Sequence, residues 1–234
     1  MAVSGGPRGR SERTDGRETK ARLVAATTQS LREVGFAGTS AREVARRAGT
    51  HQSQVFYYFG TVPDLLLAAL DAVSERRLTA YDGLLAGAHS SADLIEAAGE
   101  IIASDLATGD VAILTELLSG SRSVPGMSEQ VAARLRPWEE FAERAVRQAA
   151  SAHPLGTLAP TADLAHLVVA TILGLELLAS VDPDPQRLPD LLDRAAAAAA
   201  LLTALMPASA RPDAVGALPS PVAAHPAYEV EGTS

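Results

Sequence analysis

The chain reads as an all-α protein, and three observations predict it. Apolar residues recur three and four positions apart along most of the chain. Glycine, proline and aspartate divide them into segments of helical length, at Gly109-Asp110, Pro125-Gly126, Pro154 to Pro160 and Asp182-Pro183-Asp184-Pro185. No alternating stretch is bounded by hairpin turns, so no sheet is expected.

The elements follow in order. Residues 1–17 are rich in Gly, Ser and Arg without a period, and are expected to be a disordered basic arm. Residues 18–34 put Leu23, Thr27, Leu31 and Val34 on one helical stripe, with Ala26 and Ser30 beside it. Gly35 ends that helix, because glycine takes the left-handed cap conformation cheaply. Thr39 and Ser40 are N-cap residues, and Glu43 follows Ser40 by three, a capping-box pattern. Ala41, Val44, Ala45 and Ala48 then make a short one-sided helix that Gly49 stops. Residues 51–59 form a third helix, expected to turn Val55, Phe56 and Phe59 inward. Pro63 opens a fourth, 63–82, through Leu65, Leu66, Leu70, Val73 and Tyr81. Further helices are expected near 91–108, 110–121, 127–152, 161–181 and 187–206. The last 28 residues, 207–234, carry five prolines and no apolar period, the signature of a disordered tail.

Composition narrows the class. Hydrophobic residues make up 47% and aromatics 4%, so the core is built from Ala, Leu and Val. The absence of cysteine excludes disulfides and thiolate metal sites. The N-terminus has no apolar stretch of a secretory signal. The apolar run 164–181 holds His166, Thr171 and Glu176, a mixture that a membrane span rarely accepts. A soluble, cytoplasmic protein without a membrane partner is expected. Net charge is −8, but unevenly spread. Residues 1–60 carry ten Lys and Arg against five Asp and Glu; residues 61–234 carry ten against twenty-three. A basic head sits on an acidic body.

The two short helices around Gly49 make a helix-turn-helix over residues 18–62. Its first helix braces the second, which lies in the DNA major groove, where each base pair shows a distinct donor and acceptor pattern. His51, Gln52, Ser53, Gln54, Tyr57 and Tyr58 are the outward residues expected on 51–59, and none is acidic. Gln52 and Gln54 suit adenine edges, and the tyrosines suit phosphates or thymine methyls. Ser40 and the free N–H groups behind it suit a phosphate oxygen. Arg42, Arg46 and Arg47 extend the positive face.

The stretch G-F-A-G-T-S-A-R-E-V-A-R-R-A-G-T-H-Q-S-Q-V-F-Y-Y-F-G-T-V-P-D-L-L, residues 35–66, closely resembles the DNA-binding domain of the TetR (tetracycline-repressor-like) family. The resemblance covers residues 18–75. It implies DNA contacts at Ser40, Gln52, Ser53, Gln54, Phe56, Tyr57 and Tyr58. Three positions depart from the family pattern. Phe56 stands where a Tyr is common, Val62 where a Lys often meets phosphate, and Thr50 where Val or Ile is usual. The arm arginines Arg8, Arg10, Arg13 and Arg17 offer compensation in the minor groove.

For residues 83–206 the resemblance implies a domain that dimerises and binds an effector. The residues support a dimer on their own account. Leu164, Leu167, Val168, Thr171, Ile172, Gly174, Leu175 and Leu178 on one helix, with Leu191, Leu192, Ala195, Ala199 and Leu202 on the next, are apolar over more than one face. Candidate effector-pocket residues are Tyr81, Glu116, Arg122, Arg134, Trp138, Phe141 and His166. Histidines lack an i, i+4 pair and there is no H-E-x-x-H, so no metal, cofactor or catalytic site is expected. The function expected is a ligand-responsive, DNA-binding regulator, most simply a repressor that binds a palindromic operator as a homodimer. The alternative is a helical ligand-binding protein or adaptor that has lost DNA binding.

Overall fold

The computed structural model describes residues 8–88, 90–151 and 160–205. Among them there are nine α-helices and no strand: α1 (Arg8–Gly38), α2 (Ala41–Arg47), α3 (Gln52–Phe59), α4 (Val62–Gly87), α5 (Ser91–Thr108), α6 (Asp110–Gly120), α7 (Met127–Ser151), α8 (Thr161–Ala179) and α9 (Arg187–Leu205). A single 3-10 turn, Ser121–Ser123, links α6 to α7. The all-α fold class therefore holds. The expected tail, 207–234, and the first seven residues of the expected arm lie outside the described residues.

Two boundaries differ from expectation. α1 begins at Arg8, so residues 8–17 are helical rather than an unstructured arm. Four arginines and one glutamate make up half of this stretch, and such straight-chain residues lose little rotamer freedom in a helix. Gly16 packs close to Tyr58: a Cβ there would sit 3.4 Å from the Tyr58 hydroxyl. α4 runs to Gly87 instead of stopping near 82. A glycine inside a helix costs about 1 kcal/mol, and burying Leu85 beside Tyr81 outweighs Gly83.

The first helices pack around a small apolar core. Leu23 and Ala26 of α1, Ala41, Val44 and Ala45 of α2, Val55 of α3 and Leu65 of α4 are all buried together. Buried Thr27 satisfies its hydroxyl by donating to the Leu23 carbonyl at 2.8 Å. Val34, assigned to the same stripe, is 46% exposed. Gly35 takes φ 70° and breaks the helix where expected, with one further turn to Gly38.

A second core joins this unit to the bundle. Leu31 of α1 packs with Leu66, Leu67, Leu70 and Val73 of α4, Ile113, Leu114 and Leu117 of α6, and Met127 and Val131 of α7. Two polar clasps reinforce it. The Phe36 N–H donates to Glu116 Oε2 at 2.7 Å, closing the end of α1. Asp110, 2% exposed at the start of α6, accepts from Arg32 of α1 at 2.5 Å and from Arg76 of α4 at 2.6 Å. Burial opposes the ionisation of Asp110, but those two bonds outweigh it and hold the carboxyl below its ordinary range.

Behind this, α8 lies along α7 and α9 along α5. By length and composition α8 is apolar enough to cross a bilayer. Its Glu176 is fully buried, turned toward Arg77 of α4.

Candidate functional site

The helix-turn-helix is built by its caps. Ser40 has extended backbone, and its Oγ accepts the Glu43 N–H at 3.2 Å. The expected capping box is only half made. The Glu43 carboxylate turns instead to Arg46 at 2.7 Å and Arg47 at 2.5 Å, which pull it down to about 2. Thr39 does not cap α2. It is buried, and its hydroxyl bonds the Gly35 carbonyl and Ser30. Gly49 takes φ 62° in the turn, where a side chain would be strained. The Thr50 N–H closes that turn on the Ala45 carbonyl at 2.9 Å.

The orientation of α3 corrects the expected face. Val55 is fully buried, and Tyr58, Phe59 and Val62 pack with it. Val55, Tyr58 and Phe59 stand at i, i+3 and i+4, one helical stripe, and Val62 joins them from the start of α4. Tyr58 is therefore half-buried rather than outward, its ring set edge-on to Tyr57 at 4.9 Å. Phe56 is the converse: expected inward, it is 47% exposed. The exposed surface of α3 comprises Gln52, Ser53, Phe56 and Tyr57, with His51 at its N-cap and half-buried Gln54 at its flank. Tyr57 is the most prominent, at 79% exposure.

The arginines of α2 differ from one another. Arg42 is exposed, with no ion pair among the described residues. Arg46 is exposed but bonded to Glu43. Arg47 is largely covered and bridges Glu43 and Glu33 of α1. The positive face is thus narrower than three free guanidinium groups would make it.

The effector candidates do not form one group. Tyr81, Trp138 and Phe141 come together between α4 and α7. Glu116 lies apart, holding the end of α1, and Arg122 is exposed in the 3-10 turn. Arg134 pairs with Asp71 on the surface, and His166, 72% exposed, with Glu139. Sequence reasoning missed the residues that do surround the aromatic trio. Arg77 is 7% exposed, and Asp105 and Glu176 are fully buried. Arg77 and the Tyr81 hydroxyl both donate to Asp105. The Arg77 guanidinium lies 4.4 Å from the centre of the Trp138 ring, whose N–H donates to Ser74 at 3.2 Å. One signal was visible, a glutamate in the middle of an apolar helix.

The two outer helices sort the expected dimer residues. On α8, Ala165 and Glu176 are buried, and Ile172 shares their inward stripe. Leu167, Val168, Thr171 and Leu178 are exposed, with Leu164, Gly174 and Leu175 half-buried. On α9 the inward stripe is Leu188, Leu192, Ala196 and Ala199. Leu192 and Ala199 are accordingly taken out of the outward set: a Cβ on Gly99 of α5 would lie 3.3 Å from Leu192 Cδ1. Leu191, Ala195 and Leu202 remain exposed.

Comparison with known proteins bears on residues 23–69, which match a family described as bacterial regulatory proteins, tetR family. An HTH-type transcriptional regulator of Mycobacterium bovis and one of Mycobacterium tuberculosis, both uncharacterized, are each 30% identical over 112 residues. The match takes in 48% of this chain, and the chain spans 57% of the length of those relatives. A transcriptional regulator of Rhodococcus sp. Rha1 superposes with a TM-score of 0.61 at 22% identity, covering 80% of this chain and 99% of that one. A TetR transcription regulator of Haloarcula marismortui superposes with a TM-score of 0.62 at 18% identity, over 79% and 98%. At these identities the solved structures speak for the fold.

Proposed function

We propose that this chain is a tetR-family transcriptional regulator with a DNA-binding helix-turn-helix, a reading supported by the match at residues 23–69, and that it acts in the cytoplasm as a homodimeric repressor released from its operator by a small molecule. The observation that carries the proposal is the exposed surface of α3. It presents Gln52, Ser53 and Tyr57 from a helix anchored by Val55 in the apolar core. Each of these side chains donates or accepts, and none repels phosphate. In this reading Ser40 and the amides behind it meet a phosphate oxygen, and Arg42, exposed and with no ion pair among the described residues, meets another.

A two-fold dimer sets two recognition helices one turn of DNA apart. The exposed leucines of α8 and α9 supply a self-complementary apolar surface for it. Control by a ligand requires that the bundle and the α1–α3 unit move together. The Asp110 clasp between Arg32 and Arg76 and the Glu116 bond to Phe36 support such coupling, because both join α6 to α1.

A gel-shift titration against operator-length DNA tests the reading. Gln52→Ala is expected to alter the preferred sequence, whereas Arg42→Ala weakens all sequences alike and lowers the salt slope by about one. Binding that ignores both variants would refute the proposed interface.

A further inference from the structure

The bundle buries three ionisable side chains from three helices: Arg77 of α4, Asp105 of α5 and Glu176 of α8. Buried charges persist when they are paired. Here two carboxylates share one guanidinium. Arg77 serves both through Nη2, bonding Asp105 and reaching Glu176 Oε1 at 3.3 Å. Among the described residues that leaves two buried atoms without a partner, Arg77 Nε and Glu176 Oε2. Buried polar atoms are nearly always bonded, so an orphan donor and an orphan acceptor in one ion pair mark a place that a polar group completes. The walls beside it are aromatic: the Tyr81 and Trp138 rings lie 6.3 Å apart, and Phe141 is buried with Tyr81.

Resting on the reading of the chain as a ligand-controlled regulator, we propose that this cluster is the effector site. It takes a protonated amine on an apolar, aromatic body, with the ammonium bonded to Glu176 Oε2. Any oxygen acceptor on the ligand is received by Arg77 Nε. Charge decides between classes. An ammonium takes the place of the Glu176 proton and keeps the cluster neutral while gaining an ion pair, a neutral alcohol gains none, and an anion adds a second negative charge beside Asp105 against one guanidinium. Burial first, and Asp105 second, push the Glu176 carboxyl up to about 8. Without a ligand it is therefore protonated at neutral pH, and the cluster is electrically neutral. The charged groups acting on it are Arg77, Asp105 and, from α6, Asp110. Tyr81 stays a phenol, pushed up to about 12 by burial and by its bond to Asp105. An entering ammonium thus displaces one proton from Glu176.

Trp138 is the chain's one tryptophan, so its fluorescence reports on this site. The test titrates the whole chain with 3-phenylpropylamine, 3-phenylpropanol and 3-phenylpropionate, three ligands of one shape and three charges. The amine is expected to saturate and to bind roughly tenfold or more tightly than the alcohol, with the carboxylate weakest. Its affinity rises about tenfold per pH unit from about 6 to about 8. Glu176→Gln removes both the preference and the slope. Calorimetry of the unaltered chain in two buffers of different ionisation enthalpy reads the same proton, about one released per amine, without relying on a variant. The proposal is overturned by an alcohol or carboxylate that matches the amine, by a flat pH profile, or by no saturable change with any of the three. A gel shift separates the two claims. An amine that binds Trp138's site and leaves DNA binding unchanged upholds the site and refutes ligand release. Release by the alcohol or the carboxylate alone upholds ligand release and refutes the site.

Discussion

In the helix-turn-helix, the buried residues are Leu23, Val44, Val55, Leu65 and their alanine neighbours, while the free face of α3 is largely polar. In the bundle the pattern is reversed over two surfaces. Arg77, Asp105 and Glu176 are inside, and Leu167, Leu178, Leu191 and Leu202 are outside. The first region gains stability from its own chain and spends polar groups on recognition. The second carries a buried charge and exposed apolar rows, and both cost stability in a lone, unliganded chain. Under the proposed function the partners follow this contrast: DNA meets the finished surface, and a ligand and a second copy meet the unfinished ones.

The comparison breaks most sharply at Asp105. Asp105→Ala leaves the Arg77 guanidinium buried with only a weaker partner, and thermal or urea unfolding should show a loss of about 3–5 kcal/mol. A loss below about 1 kcal/mol would mean that the cluster is already satisfied by solvent. Leu65→Ala, at the centre of the dry core, should cost about 2–5 kcal/mol, with no pH dependence. Glu116→Ala unties the Phe36 amide and should cost about 1.5–3 kcal/mol, and it should weaken DNA binding by loosening α1. Ser40→Ala, a lost cap, should cost about 1 kcal/mol. Acid and alkali sharpen the comparison further. Asp110 has a depressed carboxyl, so its contribution is present at neutral pH and is lost as pH falls through its lowered value. Glu176 has a raised one. Its contribution is present below the ordinary 4.5 and is lost as pH climbs through about 8, a decline that Glu176→Gln should flatten.

Much of this was legible in the sequence, for reasons that are local. Ends of α2, α3, α5, α6 and α7 are set by Ser40, Gly49, Gly60, Gly109 and Gly126, whose preferences need no tertiary knowledge. What escaped depended on partners distant in the chain. Phe56 and Tyr58 exchange places because α3 turns Val55, Tyr58 and Phe59 together toward the core that α1, α2 and α4 close around it. Glu116 reads as a pocket residue until the end of α1 arrives, eighty positions earlier. Glu176 speaks only against a membrane span until Arg77, ninety-nine residues away, gives it a partner. Leu192 reads as one more outward leucine until Gly99 shows which side of α9 lies against α5.

The central claim is that a rigid, polar α3 surface on a dimeric frame reads DNA. Its most direct test is a salt-dependent gel-shift titration of the whole chain paired with Leu178→Ser/Leu202→Ser. The unaltered chain should bind one palindromic site with a linear fall of log affinity against log salt. The double variant should sediment as a folded monomer and lose the palindrome preference while keeping weak binding to half-sites. DNA binding without salt dependence, or full palindrome affinity from a monomer, would contradict the account.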